Sequence, residues 1–136
     1  MQDKEKEPIG LTISLPLDKV DVGNLTNIID AKRSLIKKAL GVENLDIEVI
    51  EATVTFPWFT AMPKSDELKA YILFILSLGK MSKELKLISA KEVKVDNEKY
   101  AFNCFLRRLG IIGSEYKKER KILLKNLSGN ASKKKG

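Results

Sequence analysis

Apolar and polar residues alternate along "GLTISLPL", where Leu11, Ile13, Leu15 and Leu17 fall on one side of an extended chain. A period of two is that of a half-buried strand, so a strand is predicted over 10–17. The period then lengthens. Over 22–40, Leu25, Ile28, Ile29, Ile36, Ala39 and Leu40 share one helical face, while Lys32, Arg33, Lys37 and Lys38 mostly lie away from it. Asp18 and Asp21 offer N-cap oxygens before this helix, and Gly41 ends it.

"LDIEVIEATVTFPWF" carries two alternating sets, Ile47 with Val49 and then Ala52, Val54 and Phe56. The sets are out of step near Ile50-Glu51, which predicts strands near 46–50 and 52–57 joined by a tight hairpin or a bulge, with Pro57 as terminator. A long helix is predicted over 65–86, with Ser65 as cap and Asp66 and Glu67 in the positive end of its dipole. Its middle, "AYILFIL", is apolar nearly all round, the mark of a buried central helix. Residues 87–96 read as a loop or short strand, although Ser89 and Glu92 have capping-box spacing. Asp96 can cap a helix over 97–109 that aligns Phe102, Phe105, Leu106 and Leu109. Gly110 stops it, and Ser114 caps a last helix over 114–127 that buries Tyr116, Leu123, Leu124 and Leu127. The expected fold is α+β: a small, mainly antiparallel sheet packed with about four helices. It forms a single domain over 10–128, preceded by a disordered segment, 1–9, and followed by a mobile basic tail, 129–136.

Composition narrows the function classes. With 43% hydrophobic and 32% charged residues, the 136-residue chain belongs with globular domains. The polar start "MQDKEKEP" does not resemble a signal peptide, and the longest apolar run is far short of the roughly 20 residues that span a bilayer. A cytoplasmic protein without membrane contact is therefore expected. The chain has no histidine and one cysteine, Cys104, which excludes Ser-His and Cys-His nucleophiles, histidine-containing zinc sites and an internal disulfide. No Gly-rich phosphate loop is present. The carboxylate pairs Asp18/Asp21, Glu48/Glu51 and Glu115/Glu119 are explained by capping and by solvated surface, so no catalytic residue, cofactor, metal or small-molecule substrate is expected, and the chain reads as a non-enzyme.

The net charge of +7 is unevenly placed. Residues 1–90 hold 12 Lys and Arg against 13 Asp and Glu, whereas residues 91–136 hold 13 against 5. A basic excess confined to the last third points to a polyanionic partner, and DNA is the leading candidate. Lys117, Lys121 and Lys125 repeat every fourth residue, with Lys118 beside them, Arg107 and Arg108 on the preceding helix, and Lys133–Lys135 in the tail. These cations are the expected phosphate contacts; "GIIG" has the length of a helix-turn-helix turn. Against this stand Glu115 and Glu119, read as lying on an exposed helix, which would repel phosphate. A charged face that meets only water is the plainer reading. The second candidate surface is "FPWF": Trp58 and Phe59 could grip another protein, or could plug the core. Helix 97–109, with Ala101 and Cys104 beyond its main apolar face, could also pack on two sides.

The run from Ala90 to Lys133, together with "FPWF" and "LTISLPLDKVDVGNL", resembles a group of small proteins encoded by conjugative transposons and related integrative elements of Gram-positive bacteria. These proteins are often labelled virulence-related or conserved hypothetical. The resemblance covers most of the chain from about residue 10 and is most specific from Asn97 to Lys133. It implies a mobile-element setting, which favours DNA handling or contact with another protein of the element, and it transfers no site residues.

Overall fold

The computed structural model of the protein describes residues 10–86 and 89–131. The expectations of a disordered segment at 1–9 and of basic residues at 133–135 lie outside the described residues.

The fold is α+β, as the periodicities predict. Strand β1 (Leu11–Pro16) is followed by helices α1 (Val22–Ala31) and α2 (Arg33–Leu40). Strands β2 (Glu48–Ile50) and β3 (Thr53–Phe59) come next, then helices α3 (Ser65–Glu84), α4 (Glu98–Arg108) and α5 (Lys117–Leu124). The sheet is antiparallel in the order β1-β3-β2. β2 and β3 form a hairpin whose two-residue turn, Glu51-Ala52, holds Glu51 at φ 54. The left-handed turn residue explains the change of phase: the chain reverses there, and β3 starts its own alternation of buried Val54, Phe56 and Trp58.

α3 is the central helix. It packs against α1, α5 and β1, and it buries Ala70, Tyr71, Phe74, Ile75 and Leu78. Phe74 meets Phe102 and Phe105 of α4 at ring-centroid distances of 5.6 and 6.2 Å, which joins α4 to the same core. Each large apolar side chain buried this fully contributes about 1.5–3 kcal/mol. Gly79 lets α3 approach β1, since a Cβ there would lie 2.8 Å from Leu15 Cδ1.

Trp58 and Phe59 belong to the core, with 1% and 7% exposure. The Trp58 indole N–H donates to the Asp46 carbonyl at 2.8 Å, and its ring meets Phe56 edge-on at 5.3 Å. Phe59 stacks on Tyr71 at 5.1 Å. These two residues are therefore not an exposed partner contact. Alternation along β3 turns Trp58 inward with Val54 and Phe56, and its polar atom is satisfied locally.

Several boundaries differ from expectation for physical reasons. The helix predicted over 22–40 breaks at Lys32 (φ −124, ψ 20). The apolar positions keep their phase across the break, so periodicity alone joins the two halves. At the start of the second half, Glu92 Oε2, 58 residues away in sequence, accepts the Ser34 N–H at 2.9 Å. Asp21 caps α1 as predicted, accepting from the Asn24 N–H at 2.9 Å. At α3 the cap position is Lys64, with Glu67 reaching back to its N–H, and at α4 Asn97 takes the role expected of Asp96. Ser114 is the first residue of a short 3₁₀ turn, Ser114–Tyr116, before α5, and Gly113 takes the N-cap position expected of it. Residues 129–131 of the expected mobile tail lie against α4, where the Asn130 N–H donates to Asn97 Oδ1 at 3.1 Å.

Candidate nucleic-acid interface

The connection from α4 to α5 is built to a set shape. Gly110 and Gly113 take φ values of +96 and +95, a region open to glycine at little cost. Between them Ile111 is buried at 1% exposure, and Ile112 faces outward at 50%. Arg120 closes the loop from within α5, donating through Nη1 to the Gly113 carbonyl at 2.9 Å and the Ile111 carbonyl at 3.4 Å. That guanidinium is committed to structure.

α5 buries Leu123 and Leu124 against α3 and α4. At 3.6 residues per turn, Lys117, Lys118, Lys121 and Lys125 fall within about 100° of arc on the opposite side. Lys117, Lys118 and Lys121 are exposed, and they form no ion pair among the described residues. Three ammonium groups on one short helical face, without a countercharge, form an electropositive surface suited to successive phosphates.

The other predicted cations are placed differently. Lys125 is exposed, but its ammonium binds Glu67 Oε2 on α3, which raises the Lys125 pKa and lowers that of Glu67. Arg107 is exposed at the end of α4. Arg108 lines a separate groove of about 420 Å³ with Lys32, Ile28, Met81 and Phe105. There the Lys32 ammonium sits 5.4 Å from the Phe105 ring centroid, and its pKa is lowered, first by burial and then by Arg108. The six cations thus divide between an open face on α5, one ion pair and the surface of α4.

Glu119 departs from the expected exposed position. It is buried at 9% exposure, and its Oε1 has no hydrogen-bond partner among the described residues. The spacing contains the signal, since Glu119, Leu123 and Leu127 repeat every fourth residue on the core side of the helix. Its carboxylate therefore does not share the face of the lysines, and the objection that it repels phosphate there no longer applies. Glu115 remains exposed. Of the other carboxylates expected from the sequence, Asp21 is a cap, and Glu48 and Glu51 are exposed on the hairpin; Glu92 and Glu98 line one groove with Lys94, and Asp18 and Glu84 line another with Lys80 and Lys83. No group of three or more metal-ligating side chains occurs among the described residues.

No protein-family model matches the chain, and no curated protein or solved structure is found to be similar to it. No helix among the described residues is long and apolar enough to cross a membrane.

Proposed function

We propose that this chain is a non-enzymatic, cytoplasmic protein of a conjugative transposon or related element that holds DNA by its backbone. Lys117, Lys118 and Lys121 are the phosphate contacts, and Arg107 adds charge at the end of α4. Lys125 acts only where phosphate displaces Glu67. The observation that carries this reading is the exposed arc of α5, with three ammonium groups and no acidic neighbour bonded to them. Contacts of this kind position a protein on DNA without reading bases. The alternative of a protein-interaction module of the same element loses Trp58 and Phe59 as its anchor, because both are buried.

Fluorescence anisotropy with labelled duplex and single-stranded DNA tests the proposal. Three phosphate contacts give a logarithmic salt slope of about −2.7 on duplex DNA, so affinity should fall about 40-fold between roughly 50 and 200 mM salt. The combined variant Lys117→Gln, Lys118→Gln, Lys121→Gln should lose both the binding and the slope. Absence of binding at low salt, or an unchanged slope in that variant, removes the proposal.

A further inference from the structure

The sheet has two edges, and they are treated differently. β1 is blunted: Pro16 lacks an N–H, and the register with β3 shifts between Leu11 and Ile13. Proline and bulges are the usual devices that stop a strand from accepting another chain. β2 has neither. All three of its residues are exposed, Val49 at 49% and Ile50 at 52%, and its pairing with β3 is regular. On the side away from β3, alternate residues of such an edge turn their N–H and C=O groups outward, ready for a further strand.

The charge along this stretch of chain is of one sign. Glu43, Asp46, Glu48 and Glu51 are exposed, no Lys or Arg occurs from Ala39 to Pro63, and none of the four carboxylates is ion-paired among the described residues. Two copies of the chain pairing through β2 would bring these carboxylates together, so the edge discriminates against itself. A cationic strand would be drawn to it, with main-chain bonds supplying affinity and the carboxylates supplying selection.

We infer that β2 accepts an extended, lysine- or arginine-rich segment of another protein as a fourth strand. Register gives its pattern. Val49 is opposite buried Val54 and shares the core-facing side of the sheet, whereas Glu48 and Ile50 pair with Thr55 and Thr53 on the outer side. The incoming segment therefore alternates, with an apolar residue beside Val49 and cations flanking it on the outer side beside Glu48 and Ile50, the latter next to the turn residue Glu51. This surface is distinct from the lysine face of α5, and it does not depend on DNA binding.

The probe is a short synthetic peptide alternating lysine and valine, titrated onto the full chain by anisotropy. Amide exchange is followed at residues 48–50. Binding should slow exchange at Val49, and the Glu48→Lys, Glu51→Lys variant should weaken it by more than about tenfold. A peptide alternating glutamate and valine should bind the variant and not the parent. The Lys117→Gln, Lys118→Gln, Lys121→Gln variant should bind the lysine peptide normally. Circular dichroism identical to the parent shows that the exposed substitutions leave the fold intact. The inference fails if the charge-reversed variant binds equally well, or if binding leaves exchange at residues 48–50 unchanged. It also fails if the chain alone dimerises through β2.

Discussion

Replacing Glu119 by methionine should stabilise the protein. The residue lies on the buried side of α5, in line with Leu123 and Leu127, with Oε1 enclosed and unpartnered among the described residues. A buried polar group left without a partner costs about 1–3 kcal/mol. Methionine has nearly the same length and helix propensity, and its thioether adapts to the same space. Glu119 retains 9% exposure, so the gain belongs at the lower end, about 1 kcal/mol. In a chain of this size that corresponds to a rise in Tm of about 3–5 °C. With a slope of about 2 kcal/mol per molar, it is also a shift of about 0.5 M in the urea midpoint. Urea unfolding followed by Trp58 fluorescence measures it, with Glu115→Met as the exposed control. If the charged side chain faced solvent among the lysines, both substitutions would stay within about 0.5 kcal/mol of the parent. Destabilisation by more than about 1 kcal/mol would refute the reasoning, because it would mean that the carboxylate is held by a partner.

The remaining predictions concern the ties between elements. Asn24 donates from Nδ2 to the carbonyls of Ser82 and Leu85 at the end of α3, so Asn24→Ala should cost about 1–2 kcal/mol in urea unfolding. Asn24→Asp should do no better, since a carboxylate cannot donate; full stability in either variant contradicts this. Glu67 and Glu98 titrate below the ordinary carboxylate value of 4.5, Glu67 chiefly through the hydrogen bond from Lys125 and Glu98 chiefly through the Ser128 amide. A lowered folded-state pKa gives stability that is present above the unfolded value and lost as pH falls through the folded one. The urea midpoint should thus drop as pH falls from about 5 towards 3, and the drop should shrink in Glu67→Gln, Glu98→Gln, with equal drops counting against it. Trp58, enclosed and bonded to Asp46, should emit at short wavelength and resist iodide quenching; long-wavelength, quenchable emission of the native chain would contradict its burial.

Elements were legible where burial alone selects residue type. Leu11, Ile13 and Leu15 marked a strand, and the apolar centre of residues 70–76 marked the buried helix α3, because each buries a face with its own period. The lysine arc of α5 was legible for the same reason, since it is the complement of the leucine face. The burial of Glu119 is encoded in the same way, since it recurs with Leu123 and Leu127 every fourth residue.

What the sequence determined by itself, then, is the α+β class, the helix and strand periods, and an amphipathic basic helix near the carboxyl end. Tertiary structure decided which individual groups are available. It broke one helix at Lys32, set Glu92 against the Ser34 N–H in the first turn that follows, tied Lys125 to Glu67, and left β2 as an acidic open edge. Periodicity reports how a segment meets the core, whereas a hydrogen bond or ion pair depends on residues that the fold brings together from 58 positions apart.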